Sequence, residues 1–528
     1  MSRGVWFPAL GLLAWLCCLS LGPVQGGKVL VVPVDGSHWL SMKILVKELS
    51  ERGHDILAVV PETSLLMHDS ESFKTEFYPV PFTKAELDGD FKELEDGAFL
   101  NPPSFTDLFT DLQLLVNFTT VQVTACESLL NNQNLMGRLK EGGFDILLTD
   151  PFLPCGSVLA HIFNIPAVYF LGGLPCEMDR KANQVPSPRS YIPVAFSGNT
   201  DIMTFPQRVK NMLMSFLESY MCRMTYAHFD DLARKYIGDD MTYSKLLSNG
   251  AIWLLKYDFT FEWPRPLLPN MVFIGGINCG KKKSPLPADL QEFVDGSGDD
   301  GFIVFTLGSL VSNMPTEKAK QFVDAFRQIP QRVVWRFTGD LPKDLPKNVR
   351  LMKWLPQNEL LAHPKVRAFI THGGSNGIYE GICHAVPMLM FPLFGDQGEN
   401  VHRMVARGVA VKLGIYDVTT ESLLAGLNAI IHDKSYKENI VRLSEIHLDR
   451  PVPPLDLAVF WTEFVIRHKG AEHLRVAAHD LNWIQYHSLD VIGLLILIII
   501  TFLWMTLKCC LFCTRKCCGR GTPKKKKE

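Results

Sequence analysis

Apolar, mostly β-branched residues run unbroken from Val29 to Val34, and then the period changes: Leu40, Ile44, Leu45 and Leu49 recur at helical spacing. Gly53 and a second short apolar run, Ile56 to Val60, follow. A buried strand, a loop, an amphipathic helix and another strand account for that order. A similar unit returns at Phe144 to Asp150, continuing through Pro151, a helical stretch around Val158 to Ile162 and the run "AVYF". The pattern pauses between about 281 and 300 and restarts with "GFIVFTLGS", "RVVWRF", "RAFITHGG" and "VPMLMFPLF", with helical stretches such as Ala319 to Ile329 between them. Alternation of this kind predicts parallel sheets with helices on both faces. The expected class is therefore α/β, with two doubly wound Rossmann-like domains over 27–280 and 281–445, joined near Cys279 to Pro287.

The two ends carry a different pattern. Residues 1–26 combine one Arg, a short apolar core and small residues near Val24 and Gly26, the composition of a signal peptide. Val491 to Leu507 carries no charge and reaches about the length that crosses a bilayer core, which predicts a transmembrane helix over 491–507. Lys508, Arg515, Lys516, Arg520 and Lys524 to Lys527 then crowd one side, which marks 508–528 as a cytoplasmic basic tail and puts the main body in the lumen. Lys525 and Lys526, fourth and third from the end, resemble the dilysine signal of endoplasmic-reticulum membrane proteins.

Charge and cysteine content narrow the function. A 20% charged chain of 528 residues with a formal net charge of −2 has no electrostatic footprint for nucleic acid. Two cysteines fall in the leader and five in the tail (509, 510, 513, 517 and 518), leaving six in the body, where an oxidising lumen permits disulfides of undetermined pairing. Asn117-Phe118-Thr119 is a glycosylation sequon in the same compartment.

In open α/β sheets ligands bind beyond the carboxyl ends of the strands. His38 follows the first strand and Asp150 ends a later one, so the two are expected to share a crevice. A neutral imidazole takes a proton from a hydroxyl near pH 7, and a carboxylate on its other nitrogen fixes the tautomer. Singly, His38 reads equally as a loop hydrogen-bonder and Asp150 as a helix cap; their joint topology points to a base and its partner.

The second half has "THGGSNGIYEG", Thr371 to Gly381, a strand-to-helix turn where Gly373, Gly374 and Gly377 let backbone N–H groups approach a diphosphate. Asn376 and Glu380 lie four apart on one helix face, placing a carboxylate beside a ribose diol. "WLPQNELL", from Trp354, supplies an aromatic plane and an amide for a base, and "PLFGDQ" ends the next strand with a polar pair. Asp88-Gly89-Asp90 resembles the metal-binding pair of another transferase fold, but it sits in an acidic stretch with no adjoining strand, and no metal is expected.

Taken together, Trp354 to Gln397 resembles the signature of UDP-glycosyltransferases. "VPVDGSHWLSM", "TDPFLPCGSVLA" and the stretch from Arg450 to Val491 further resemble vertebrate UDP-glucuronosyltransferases of the family 1 branch. The resemblance implies a GT-B fold: an N-terminal domain for small lipophilic or phenolic acceptors, a C-terminal domain for a UDP-sugar, and the active site between them. It implies that 446–490 returns to the N-terminal domain before the membrane. His38 then matches the general base and Asp150 its partner, giving a β-glucuronide from UDP-glucuronic acid as co-substrate without a prosthetic group. Trp354 is expected on uracil, Gln357 on the nucleoside and Glu380 on the ribose. Ser309, His372 and Asn376 are expected on the diphosphate, with the Gly373, Gly374 and Ser375 turn, and Asp396 and Gln397 on the sugar hydroxyls. Two departures bear on the donor: Asn376 stands where this branch often has His, and Lys256 where it usually has Arg, keeping the charge but losing the bidentate fork. Another UDP-sugar donor, self-association or association with related transferases, and a non-catalytic membrane subunit stay open.

Overall fold

The computed structural model of the chain describes residues 26–97, 99, 107–172, 175–280, 284–340 and 344–519. The leader (1–25), Arg520 and the final lysines lie outside these residues. Two compact units emerge, one ending at Leu474 and one starting at Arg475.

The first unit is built on two parallel sheets. β1 (Lys28–Val32), β2 (Asp55–Pro61), β3 (Lys74–Tyr78), β4 (Ile146–Thr149), β5 (Ala167–Leu171), β6 (Gly250–Leu255) and β7 (Met271–Phe273) align in the order β3-β2-β1-β4-β5-β6-β7. β8 (Phe302–Thr306), β9 (Arg332–Arg336), β10 (Val349–Met352), β11 (Val366–Thr371), β12 (Met388–Met390) and β13 (Ala410–Lys412) align as β10-β9-β8-β11-β12-β13. In each sheet the chain winds outward one way, returns beside its first strand and winds out the other way. The reversal falls between β1 and β4 in one sheet and between β8 and β11 in the other.

Burial explains the unbroken apolar strands. Val29 and Val31 belong to one core and Leu30 and Val32 to another, so both faces of β1 are covered. Phe302 and Val304 join the core that holds Leu30, while Ile303 and Phe305 face a third core with Phe322 and Trp335. The core between the sheets is thus continuous, and each sheet has a second core on its outer face.

Some elements depart from the sequence pattern. The helix expected through Ile329 spans Thr316–Phe326; Pro330 disfavours helical backbone at the residue before it. The pause at 281–300 contains a helix, Ala288–Asp295, seated by Leu290 and Val294. Asp88 and Asp90 lie in the helix Lys84–Gly97. Helix Pro454–His468 packs on the first sheet through Ala458, Val459 and Val465, in the core of Val29, Val31 and Trp39.

All six body cysteines are paired: Cys126 with Cys155, Cys176 with Cys222, and Cys279 with Cys383. The third joins the linker after β7 to the end of the helix Ser375–Cys383. Nearby, Asp258 N donates to Tyr379 Oη at 2.7 Å, and the Asp258 carboxylate is engaged by His447 at 2.8 Å and by Arg450.

In the second unit, the apolar helix begins at Leu489 and runs to Cys518, well past Leu507. No Pro or Gly interrupts the segment from Leu494 to Cys518, so the change from apolar to basic residues does not end the helix. Among the described residues it is the one helix long and apolar enough to cross a membrane.

Candidate active site

The reversal in the first sheet decides where the loops diverge. Val32 pairs with Thr149, so the segments leaving β1 and β4 start side by side. After β1, the Asp35 carboxylate accepts from Gly36 N at 2.7 Å, Ser64 Oγ at 2.7 Å, Leu65 N at 2.6 Å and Leu66 N at 3.2 Å. Gly36 turns the chain at φ 75°, a conformation a side chain would strain. The helix Ser37–Glu51 starts there, placing His38 in its first turn.

His38 Nδ1 lies 2.6 Å from Asp150 Oδ2; the His side chain is 31% exposed and the Asp 1%. Asp150 Oδ1 accepts from Phe152 N at 2.9 Å, which fixes the plane of the carboxylate. Facing an ionised carboxylate, which only accepts, a neutral imidazole carries its proton on Nδ1 and keeps the lone pair of Nε2. The Phe152 ring is 5.3 Å from the imidazole, and the Phe118 ring 6.2 Å from Phe152. Beside Asp150, a small cavity of about 50 Å³ is lined by Val34, Met67, Tyr78, Ala125 and Leu153 among others.

The second sheet repeats the logic. β8 and β11 are neighbours, with Thr306 opposite Thr371, so the Leu307–Ser309 and His372–Gly374 segments meet. A Cβ on Gly308 would fall 2.6 Å from the His372 ring and one on Gly374 2.5 Å, so two glycines make room for the imidazole. Burial, reinforced by the Arg336 charge, pushes the His372 pKa down to about 4. His372 is therefore neutral, and its buried Nδ1 has no hydrogen-bond partner among the described residues. Gly373, at φ 91°, lets the chain pass Val401, whose methyl a Cβ would meet at 2.6 Å. No side chain caps the helix Ser375–Cys383, so its first-turn N–H groups, with the helix dipole, form an anion-binding end.

Around that end, Trp354 is 52% exposed and the Arg336 guanidinium lies 5.1 Å from its ring centroid. Glu380 accepts from Gln357 Nε2 at 2.6 Å and from Asn278 Nδ2 at 2.7 Å, and burial raises its pKa to about 7. Gln397 is buried, its Oε1 accepting from Leu393 N at 2.8 Å and Phe394 N at 3.2 Å; Asp396 is exposed and accepts from Asn400 Nδ2 at 2.8 Å. The same Asn400 amide donates to Gly373 O at 3.1 Å and so ties the two loops together.

The halves meet at Asn376. Its Nδ2 donates to Ser37 O at 3.2 Å and its Oδ1 accepts from Ser41 Oγ at 2.9 Å, on either side of His38 in one helix. Lys256 Nζ donates to Ser41 Oγ at 3.1 Å and reaches Asn376 Oδ1 at 3.4 Å. Burial lowers the Lys256 pKa, and the charges of Asp150 and Asp396 oppose that shift. Asn376 and Glu380, four apart on one helix, thus have different partners: the amide reaches Ser37 and Ser41, while Glu380 accepts from Gln357 and Asn278.

His38, Asp150, Lys256 and Asn376 thus converge, and Ser309, Trp354, Gln357, His372, Glu380, Asp396 and Gln397 surround the second-sheet loops. Asn117 stands apart, exposed on the helix Asp107–Asn131, where its Oδ1 accepts from Gln113 at 2.9 Å. Sequence reasoning missed three residues. Asp35 organises the loop before His38; Arg336 donates to the carbonyls of Gly308, Ser309 and Val311; Asn278 holds Glu380. Arg336, a charged residue ending the apolar strand "RVVWR", carried the one readable signal. Among the described residues, the atoms of Cys279, Cys383 and His447 lie within 4.8 Å of one another, but the two sulfurs are joined in a disulfide and offer no thiolate.

A profile of the family described as "UDP-glucoronosyl and UDP-glucosyl transferase" matches residues 27–526. A UDP-glucuronosyltransferase of Pleuronectes platessa is 65% identical over 472 residues, covering 89% of this chain and all of the relative. UDP-glucuronosyltransferase 1A1 of Homo sapiens is 48% identical over 503 residues, covering 95% of this chain and 93% of the relative. Among solved structures, the calicheamicin glycosyltransferase CalG4 superposes with a TM-score of 0.57 at 18% identity, covering 84% of this chain and 99% of its own. The spinosyn forosaminyltransferase SpnP gives 0.57 at 17%, with the same coverage. At those identities the likeness is one of fold, the GT-B arrangement.

Proposed function

The chain belongs to the UDP-glucuronosyl and UDP-glucosyl transferase family and is a glycosyltransferase, and from that premise we propose that it transfers glucuronic acid from UDP-glucuronic acid to hydroxyl groups of small lipophilic acceptors, with inversion to a β-glucuronide. The observation that carries the reading is the 2.6 Å contact of His38 Nδ1 with a buried carboxylate, which leaves Nε2 as the proton acceptor. Phe152 and Phe118 give an aromatic acceptor an apolar wall on that side.

In the proposed step, the acceptor hydroxyl gives its proton to His38 Nε2 while its oxygen attacks the anomeric carbon. The bond from that carbon to the diphosphate oxygen breaks, and UDP leaves toward the first turn at Ser375. Asp150 stabilises the imidazolium that forms. The N–H groups of Ser375 and Asn376, the Gly373–Gly374 turn, Ser309 and neutral His372 offset charge developing on the diphosphate. Trp354 stacks on the base, Gln357 contacts the nucleoside, Glu380 takes the ribose hydroxyls, and Asp396 and Gln397 take the sugar hydroxyls. Lys256, held between Ser41 Oγ and Asn376 Oδ1, supplies positive charge where the two halves meet. No prosthetic group or metal enters the step.

We further propose that the helix from Leu489 anchors the chain in the endoplasmic-reticulum membrane, with the body, including Asn117 as a glycan acceptor, in the lumen and the basic tail in the cytoplasm. Three disulfides in the body and free cysteines in the tail support that orientation.

The test is product mass. Membranes carrying the full chain are incubated with a simple phenol and, separately, UDP-glucuronic acid, UDP-glucose, UDP-xylose or UDP-N-acetylglucosamine. A glucuronide formed only with the first is expected. Another sugar on the phenol overturns the donor, and no product from folded protein across varied acceptors overturns the catalytic reading in favour of a binding subunit.

A further inference from the structure

Past the apolar stretch, the helix Leu489–Cys518 carries, among its described side chains, four exposed, unpaired thiols: Cys509, Cys510, Cys513 and Cys517. At about 100° per residue these four fall within an arc of about 100°, while Lys508 and Arg515 project from the opposite side. Lys508 lies over the Trp504 ring and Lys516 over the Phe512 ring, so both long stems lie along apolar surface. The arc from Cys509 to Cys510 thus carries thiols, with Lys516 about 20° outside its edge and its stem drawn toward Phe512.

Depth gives that face its chemistry. The uncharged run Val491–Leu507 spans about 26 Å at about 1.5 Å per residue, against a hydrocarbon core of about 30 Å. Cys509 and Cys510 therefore lie where the core gives way to the headgroups, and Cys513 and Cys517 one and two turns further out. A thiol at that level is reachable from water, while a chain attached to it can lie among the lipid tails. Free thiols in such a juxtamembrane row are acceptors for reversible acylation.

We propose that Cys509, Cys510, Cys513 and Cys517 form an S-acylation site that takes long-chain fatty acyl groups from acyl-coenzyme A. The cysteine sulfur attacks the thioester carbonyl, a new carbon–sulfur bond forms to the protein, and the bond to coenzyme A breaks. Coenzyme A leaves as its thiol, taking the proton from the cysteine, with no change in oxidation state. Each added chain extends the apolar surface of a spanning segment a few residues short of the core thickness, on the arc that carries the thiols. The site rests on the proposed orientation, because the soluble acyl donor must reach the tail from the cytoplasmic side.

The experiment uses the full chain with an epitope after Glu528, expressed in cells. Free thiols are blocked, thioesters are cleaved with neutral hydroxylamine, and newly freed thiols are tagged with a maleimide polymer that shifts the band. Hydroxylamine-dependent shifts are expected in the wild type and absent from a variant carrying Cys509→Ser, Cys510→Ser, Cys513→Ser and Cys517→Ser, with transferase activity in detergent unchanged as proof of folding. Protease treatment of intact vesicles reads the orientation separately. An accessible epitope with no hydroxylamine-dependent shift overturns acylation alone. Hydroxylamine-dependent shifts that persist unchanged in the variant also overturn it. A protected epitope overturns the orientation and this site with it.

Discussion

Replacing Asp150 with Asn tests the proposed chemistry most sharply, because the geometry dictates what the amide must do. Asp150 Oδ1 is held by Phe152 N–H at 2.9 Å and Oδ2 faces His38 Nδ1 at 2.6 Å. In Asp150→Asn the amide oxygen keeps the Phe152 bond and the NH2 group takes the place of Oδ2. That group only donates, so Nδ1 must accept and the ring proton moves to Nε2, the atom that has to receive the acceptor's proton. The opposite flip sets NH2 against Phe152 N–H, leaving buried donors unsatisfied at about 1 to 3 kcal/mol, which cuts the productive tautomer roughly 5- to 150-fold. Loss of the charged partner of the imidazolium removes about another 1.5 to 3 kcal/mol, roughly 10- to 150-fold. Together kcat falls by about 10² to 10⁴. Asp150→Ala imposes no tautomer and incurs only the second loss, so it should be the milder change although it removes more atoms. The assay is kcat for glucuronidation of a phenol at saturating donor, with UDP affinity measured by calorimetry. Asn within tenfold of wild type, Ala as impaired as Asn, or UDP affinity falling as steeply as kcat would refute the tautomer argument.

Four further outcomes are expected. Glu380, raised to about 7 by burial, should ionise more readily when ribose hydroxyls donate to it, so UDP binding releases protons near neutral pH and weakens as pH falls below about 7. Calorimetry in two buffers of different ionisation enthalpy reads that release, and Glu380→Gln should abolish it. Because its folded pKa lies above the ordinary carboxylate value, the same group's contribution to stability is full below that value and is lost as pH rises to about 7. Glu380→Gln should flatten that part of the stability profile, measured by chemical denaturation at several pH values. Trp354→Ala should weaken UDP binding roughly 5- to 150-fold, the usual worth of a base stacked on an aromatic ring at about 1 to 3 kcal/mol, with kcat at saturating donor nearly unchanged. Asn376→Ala removes the bonds to Ser37 O and Ser41 Oγ, at about 1 kcal/mol net each, so kcat/KM should drop roughly 30-fold; an unchanged value would show that the clasp does not position His38.

Much of this protein is written locally along the chain. The unbroken apolar runs require strands covered on both faces, and the doubling of that pattern accounts for two parallel sheets. The glycines of Thr371 to Gly381 announce a turn that opens a helix, and the uncharged run Val491–Leu507 announces a bilayer-length segment, because period, turn chemistry and length are short-range properties. His38 with Asp150 was legible for the same reason once both were assigned to strand ends, since the carboxyl ends of neighbouring parallel strands converge whatever the intervening sequence. What only the tertiary structure decided are the contacts between loops brought together by closure of the chain. The pairing of Cys279 with Cys383, the grip of Asn278 on Glu380, the Arg336 bonds to the Ser309 loop and the reach of Asn376 to Ser37 each depend on where two separately folded segments end up. Asn376 shows the limit most clearly: its position on a helix beside the glycine turn could be read from spacing, but the direction of its amide was set by a helix that begins 339 residues earlier in the chain. Hydrophobic period constrains a residue's element and face, whereas the partner of a polar side chain is chosen by whichever donor or acceptor the packed cores bring within about 3 Å.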